Sequence, residues 1–509
     1  MRTAYTSDQI RAAELALMTR LPEGTLMGRA AAGLAAACAP VLAERRGRVY
    51  GSRVVLLVGS GDNGGDALYA GARLARRGAR VDAILAGSRA HQEGLAALRA
   101  AGGRAVEFAP GPARELIGAA DLVLDGLVGI GSTGALREPY GTLAGFTADA
   151  PGVVIAVDVP SGVDASSGRV DGPVVRAQAT VTFGAYKNGL LVDPGASFCG
   201  AVELVDIGLG PYLPDPDVAA LTGDDVADLL PKPAPESDKY RRGVIGIAAG
   251  SDTFAGAAVL AAGGAVRAGA GMVRFASFEE PVRLVRARWP EAVTTVLTPG
   301  AERPLDDVGR VQAWVVGPGL GTGREAHAIV REILATDLPV LVDADGLTHV
   351  AADRSLLRRS GPTLLTPHAG ELARLLDVPR ERIEARRIEH ARRAAAELGA
   401  TVLLKGSTTL VAEEDRPVRV NSTGTPWLAT GGTGDVLSGI AGALLAGGLN
   451  CYDAASCAAY LHGLAARIAA AGPDRAAGGS GPGDSGPGGE APIAALDVAE
   501  ALPEAVRAL

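Results

Sequence analysis

Residues Thr430-Gly431-Gly432-Thr433-Gly434-Asp435 run straight into the apolar stretch Val436-Leu437-Ser438-Gly439-Ile440-Ala441. Glycines let backbone N–H groups approach an anion closely, and a helix starting near Gly434 adds the positive end of its dipole, which together make a phosphate cradle. A carboxylate in that place would repel the phosphate. Asp435 is accounted for if it accepts the proton of a hydroxyl that attacks, or is attacked by, a phosphoryl group held on those amides. The plainer reading is a glycine-rich turn into a helix capped by an aspartate.

Four apolar runs upstream favour the chemical reading, because each reads as a strand ending in small or polar residues. Trp314-Val315-Val316 leads into Gly317-Pro318-Gly319, and Val340-Leu341-Val342 into Asp343-Ala344-Asp345. Thr363-Leu364-Leu365 leads into Thr366-Pro367-His368-Ala369-Gly370-Glu371, and Val402-Leu403-Leu404 into Lys405-Gly406-Ser407-Thr408-Thr409. In an open α/β sheet ligands bind beyond the carboxyl ends of the strands, so one crevice would collect all of these groups. The chain is arginine-rich and its only lysines are Lys187, Lys232, Lys239 and Lys405. A retained lysine suits a compact point charge on a nucleotide phosphate, and Lys405 stands where one is wanted; codon bias explains the scarcity equally well.

A second centre lies in the first half. Arg53-Val54-Val55-Leu56-Leu57-Val58 reads as a buried strand before Gly59-Ser60-Gly61-Asp62-Asn63-Gly64-Gly65-Asp66 and a helix. Gly59, Gly61 and Gly64 satisfy the dinucleotide fingerprint, and Asp82 is expected to end the next strand where a ribose-binding acid would sit. Asp62 and Asp66 oppose an ordinary pyrophosphate site, since like charges at contact repel by about 1 kcal/mol in water and more when desolvated. A cation would resolve this. Asn63, Asp125 at the end of Leu122-Val123-Leu124, and Ser161 in Asp158-Val159-Pro160-Ser161-Gly162 offer hard oxygens that suit an alkali or alkaline-earth ion and not zinc. Asp125 and Asp158 could also merely cap strand ends.

From about residue 222 onward the chain resembles the ribokinase-like superfamily and, within it, the nucleotide-dependent NAD(P)H-hydrate dehydratase family. The resemblance rests on Ser237-Asp238-Lys239-Tyr240-Arg241-Arg242-Gly243, Gly256-Ala257-Ala258, Gly317-Pro318-Gly319, Thr366-Pro367-His368-Ala369-Gly370-Glu371, Lys405-Gly406 and Gly431-Gly432-Thr433-Gly434-Asp435. It implies substrate contacts at Ala258, Gly319, His368 and Asp435, with Asp435 catalytic. Nucleotide contacts are implied at Lys405, Gly406, Ser407, Thr408, Thr409 and Gly434, with ADP or ATP as co-substrate and Mg2+ beside it. Residues 1 to about 215 resemble the NAD(P)H-hydrate epimerase family through Leu26-Met27, Asp62-Asn63-Gly64-Gly65-Asp66, Asp125, Asp158-Val159-Pro160-Ser161-Gly162 and Thr182-Phe183-Gly184-Ala185-Tyr186-Lys187. Asp62 and Ala67 stand where that family usually has asparagine and glycine. The resemblance implies potassium on Asn63, Asp125 and Ser161. It sets the hydrated dinucleotide against Asp62, Asn63, Gly64, Gly65 and Asp66, against Gly129, Ile130, Gly131, Ser132, Thr133, Gly134 and Ala135, and against Asp158. Asp66 or Asp158 is expected as the acid/base, with Lys187 as a proton donor or substrate-orienting charge, an assignment the sequence leaves open.

With 509 residues the chain is too long for one core, and 48% apolar with 21% charged residues is ordinary for globular α/β protein. The expected fold is α/β in two domains: a Rossmann-like three-layer domain at 1–215, a proline-rich linker at 216–236, and a ribokinase-like domain at 237–509. The last strand of the first half is expected at residues 201–207, a glycine- and proline-rich surface loop at 471–489 and a final helix at 493–509. A net charge of −8 without a basic stripe disfavours nucleic acid. Four scattered cysteines suggest neither a metal site nor disulfides. The N-terminus does not read as a signal peptide and no uninterrupted apolar run spans a bilayer, so a cytoplasmic enzyme away from membranes is expected, as a homo-oligomer acting on small molecules. The function implied is repair of hydrated NADH and NADPH by epimerisation and dehydration. The alternative is a small-alcohol kinase, for a sugar or hydroxymethylpyrimidine, fused to a non-catalytic binding module.

Overall fold

The computed structural model describes residues 1–472 and 489–509, and the chain divides into two compact units, Arg2–Val218 and Ala219–Leu509. The expected loop at 471–489 lies, but for its ends, outside the described residues.

Val/Ile/Leu-rich runs with no polar alternation demand cover on both faces, which parallel strands receive from crossover helices. In the first unit seven parallel strands lie in the order Arg104–Glu107, Arg80–Leu85, Arg53–Val58, Leu122–Gly126, Val153–Val157, Ala179–Phe183, Ala201–Val205. The chain winds outward from Arg53–Val58 and returns beside it at Leu122–Gly126, creating a switch point between these two strands, where such sheets open a ligand crevice. One apolar layer joins Leu56, Leu124 and Val157 to Leu34, Leu68 and Leu74, and a second joins Leu57 and Val123 to Ile117 and Leu143 on the opposite face.

Helix Thr25–Arg46 is, by length and composition alone, apolar enough to cross a bilayer, which a search for uninterrupted apolar runs passes over because Arg29 and Glu44 break it. In the fold its Ala31, Leu34, Cys38 and Leu42 are buried in the first layer. A Cβ at Gly33 would stand 2.3 Å from Val205 Cγ1, so the helix lies hard against the last strand.

In the second unit the strands run Val293–Val296, Met272–Ser277, Val244–Ala248, Ala313–Val316, Val340–Val342, Thr363–Leu365, Thr401–Leu404, all parallel, followed by antiparallel Thr409–Ala412 and Val418–Asn421. Its switch point is between Val244–Ala248 and Ala313–Val316. Helices Ala255–Arg267 and Thr433–Ala446 cross almost backbone to backbone, and a Cβ at Gly439 would meet the Ala261 carbonyl oxygen at 2.1 Å. That contact fixes where the second helix begins, and so where Asp435 stands.

Three expectations change. The span 216–236 is not bare linker: it holds strand Val218–Ala220 and helix Gly223–Leu229, started by a Thr222/Asp225 capping box that its prolines do not interrupt. Asp82 does not end its strand but sits inside Arg80–Leu85, where Arg80 and Arg104 take its carboxylate at 3.2 and 3.0 Å. The last strand of the first unit stops at Val205 and the final helix is Ala495–Arg507.

Candidate active sites

In the first unit the glycine turn after Arg53–Val58 must pass beneath the next strand's exit. A Cβ at Gly59 would lie 1.8 Å from the Leu127 carbonyl oxygen, so only glycine fits. Helix Asp62–Arg76 then starts with Asn63, Gly64, Gly65 and Asp66 buried in its first turn. The Asn63 amide donates to the carbonyls of Val157 at 2.6 Å and Val128 at 3.2 Å. Asp125 is fully buried at the end of the neighbouring strand; its oxygens accept from Ser161 Oγ at 2.7 Å, Ser161 N at 2.8 Å and Leu127 N at 3.3 Å. Burial pushes the Asp125 carboxyl up to about 6 despite these bonds. Asp125 and Ser161 are thus directly bonded, and Asn63 joins them through Val128, whose N donates to Ser161 Oγ at 3.2 Å and whose carbonyl accepts from the Asn63 amide.

Asp158 takes the left-handed backbone conformation, φ 69°, a strained state for a non-glycine residue that turns its side chain back toward Thr182 and Lys187. Asp158 Oδ1 accepts from Thr182 Oγ1 at 3.1 Å, Phe183 N at 3.0 Å and the Lys187 ammonium. Lys187 is 1% exposed and also donates to Thr182 Oγ1 and to the Phe183 carbonyl, each at 2.9 Å. Burial, then the charges of Asp158, Asp62 and Glu14, hold the Asp66 carboxyl well above the usual range against the opposing Lys187. The loop 129–135 lies partly exposed above, with Gly129 beside Asn63 Oδ1 and Gly131 beside Arg11.

Glu14 escapes the sequence motifs. It lies one turn from buried Ile10 and Leu17 on helix Ser7–Met18, and that spacing is the signal that could have found it. Burial raises its carboxyl, and Lys187 opposes the shift.

In the second unit the strand ends converge as the topology requires. Asp343 follows Val340–Val342 and is 1% exposed; it accepts from Lys405 Nζ at 2.6 Å and from Ser438 Oγ at 2.7 Å. Glu371 Oε2 stands 3.9 Å from the same ammonium. Burial disfavours the charged lysine, but Asp343 and Glu371 more than offset it and hold Lys405 above its ordinary value. A Cβ on Gly434 would lie 3.6 Å from Lys405 Nζ, so the cation stands at the N-terminus of helix Thr433–Ala446. Gly432, at φ 90°, makes the left-handed turn into that helix.

Half-buried Asp435 is in its first turn, its carboxyl pushed up to about 7 by burial and by Asp343, with Lys405 opposing and Asp345 adding. His368 caps helix Ala369–Leu376, its Nδ1 accepting from Gly370 N at 2.9 Å and Glu371 N at 3.1 Å. Burial, opposed by Glu371, lowers its proton affinity. Gly406 and Ser407 are exposed beyond Lys405. Buried Arg387 clamps that loop from beneath, its Nη2 donating to the carbonyls of Lys405 and Thr408 at 3.1 Å, with Thr409 opening the next strand.

Gly319, at φ 59°, lies at the switch point, where a Cβ on it would stand 2.8 Å from Ala257, whereas Ala258 is fully buried, its side chain facing Gly250. His462, buried in helix Cys451–Ala471, bonds the Thr433 carbonyl through Nε2 at 2.9 Å. Burial lowers its proton affinity to about 4, so it is neutral there.

Residues 245–477 match the family described as NAD(P)H-hydrate dehydratase, and residues 23–189 match that described as YjeF-related protein N-terminus. The bifunctional NAD(P)H-hydrate repair enzyme Nnr of Mycobacterium leprae is 49% identical over 489 residues, 95% of this chain and 96% of that one. The enzyme of the same name from Mycobacterium tuberculosis (strain CDC 1551 / Oshkosh) is 49% identical over 460 residues, 90% and 92% of the two chains. A crystal structure of the ADP/ATP-dependent NAD(P)H-hydrate dehydratase from Bacillus subtilis, co-crystallised with ATP/Mg2+, is 31% identical with a TM-score of 0.48, covering 57% of this chain and 99% of that one. With near full-length identity to such relatives and both halves matched in order, the chain belongs to the family of bifunctional NAD(P)H-hydrate repair enzymes.

Proposed function

We propose that the chain repairs NADH and NADPH hydrated on the nicotinamide ring, the first unit interconverting the R and S hydrates and the second dehydrating the S form with ADP or ATP. The observation that carries the second half of this reading is Asp435: a carboxyl held near neutrality beside Lys405, at a glycine-rich helix N-terminus. Lys405, Gly434 and the amides of 431–434 receive the nucleotide phosphates, while Asp435 takes the proton of the ring hydroxyl as that oxygen accepts a phosphoryl group. The ring nitrogen's lone pair then expels the phosphate, and loss of a proton from the adjacent ring carbon restores the dihydropyridine. Gly319 and His368 line the substrate side, while Ala258 is fully buried in the core. Among the described residues no group of three His, Cys, Asp or Glu side chains gathers to cage a metal, so Mg2+ fits as an ion carried by the nucleotide phosphates.

In the first unit, epimerisation requires the hydroxyl to leave and return, or the ring to open and reclose, with proton transfer and no redox change. Asp66, whose proton affinity burial and the neighbouring acids raise, is suited to donate, and the Asp158–Lys187 pair to accept and orient. The residues Asn63, Asp125 and Ser161 fit potassium: a fully buried carboxylate with only N–H and O–H partners stands among hard oxygens. Bound there, the ion supplies positive charge that offsets the surrounding acids.

The test is product analysis of a mixed R and S hydrate supplied with ADP or ATP. Return of reduced dinucleotide with one phosphate released per turnover is expected. A stable phosphorylated product, or turnover of simple alcohols instead, would favour a plain kinase.

A further inference from the structure

Asp343 is engaged by two other elements of the dehydration site. Its Oδ1 binds Lys405, which follows strand Thr401–Leu404, and its Oδ2 binds Ser438, one turn beyond Asp435 in helix Thr433–Ala446. Both Asp343 and Ser438 are essentially inaccessible, at 1% and 0% exposed. A polar group buried only to fill the core would be satisfied most simply by nearby backbone N–H groups. Here each carboxylate oxygen instead takes a side chain that arrives from a distant part of the sequence and belongs to the reacting centre. Residues three apart share a helix face, so the Ser438 hydroxyl and the Asp435 carboxylate look the same way, toward Asp343 and Lys405.

We propose that Asp343 and Ser438 are positioning residues for dehydration: they hold the Lys405 ammonium at the helix N-terminus beside Gly434 and keep a fixed negative charge facing Asp435. The phosphoryl group then meets a cation that does not need to reorganise, and the substrate hydroxyl meets a carboxylate with raised appetite for its proton. This rests on Asp435 acting as the base. The groups facing Asp435 are Asp343 and Asp345 from the end of Val340–Val342, and Lys405. Asp345 is itself fixed by Gly321 N at 2.8 Å, and neutral His462 supports the Thr433 carbonyl from helix Cys451–Ala471. Removing the Asp343 charge deletes an influence that raises Asp435 and frees Lys405, which lowers it. Both changes act in the same direction.

The experiment is the pH profile of dehydration kcat and kcat/KM for the full chain, in wild type, Asp343→Asn, Ser438→Ala and Asp435→Asn, with folded fraction measured by thermal melt. In Asp343→Asn the acid limb should move down by about one pH unit while the plateau falls about 10- to 100-fold. Ser438→Ala should shift the limb the same way by less, and it decides the question if Asp343→Asn does not fold. Limbs at the wild-type position in every folded variant, with activity lost only in proportion to folded protein, would overturn the proposal. Asp435→Asn separates the two ideas: wild-type turnover there removes the base itself, whereas inactivity there with unmoved limbs elsewhere removes only the positioning role.

Discussion

Asp435 concentrates the chemistry of the second unit because three effects meet on one carboxyl: burial, the charge of Asp343 and the opposing charge of Lys405. A base must be deprotonated to work, and its carboxyl titrates at about 7, so dehydration should fall as pH drops through that value and level off above it. Asp435→Asn should lower dehydration by roughly 10²- to 10⁴-fold with nucleotide still bound, as read by steady-state rates and calorimetry. Lys405→Ala should weaken nucleotide binding by about 1.5–3 kcal/mol. It should also destabilise the fold by about 3 kcal/mol, since it strands the buried Asp343 carboxylate; unchanged affinity by calorimetry would remove Lys405 from the phosphate site. Asp435 and Lys405 were legible in the chain because a glycine turn before an apolar helix, and a lone lysine after a strand, are local patterns. Asp343 was readable as a strand-end acid of the crevice, but its bond to Ser438 was not, nor was the place of Glu14, because these arise from contacts made across the fold: Ser438 lies 95 residues from the carboxylate it binds. Asp82 misled for the complementary reason. Its place in the strand depended on where that strand began, and its arginines come from the same strand and its neighbour.

The strands were readable from unbroken Val, Leu and Ile runs, and their carboxyl ends carry most of the residues with chemistry. Less readable was what makes those ends meet. In the second unit it is the crossing of Ala255–Arg267 with Thr433–Ala446, where Gly264 would otherwise drive a Cβ to 2.3 Å from the Val436 carbonyl oxygen. Gly439→Ala should push these helices apart, costing about 1–3 kcal/mol in a denaturant melt and displacing Asp435 from Lys405. Dehydration should then fall further than the folded fraction does, and a fall matching the folded fraction would show that the crossing does not set the site. Helix Gly223–Leu229 was hidden because prolines on both sides suggested extended chain, while the Thr222/Asp225 box that starts it is a four-residue signal. Helix Thr25–Arg46 was passed over because Arg29 and Glu44 interrupt its apolar run, and which of its faces is buried is set by the sheet it covers.

Across the whole chain, the division at Val218 separates two switch-point crevices, each of which sets one lysine among several acids. The first gathers Asp62, Asp66, Asp158 and Glu14 around one buried lysine, which suits proton traffic and a bound cation. The second sets Lys405 among Asp343, Glu371 and Asp435 at a helix N-terminus, the arrangement proposed above to receive phosphate. Replacing potassium with a bulky organic cation should therefore slow R-to-S conversion and leave dehydration of pure S hydrate unchanged; equal effects on both would argue against an ion at Asn63, Asp125 and Ser161. The most direct test of the account follows the two conversions separately by chromatography in wild type, Asp435→Asn, Asp66→Asn, Asp158→Asn and Lys187→Ala. The account predicts that Asp435→Asn stops dehydration at an unchanged rate of epimerisation, and that at least one first-unit variant slows epimerisation about tenfold or more while pure S hydrate is dehydrated normally. It is contradicted if the variants depress both conversions together, or if none of the three first-unit variants slows epimerisation.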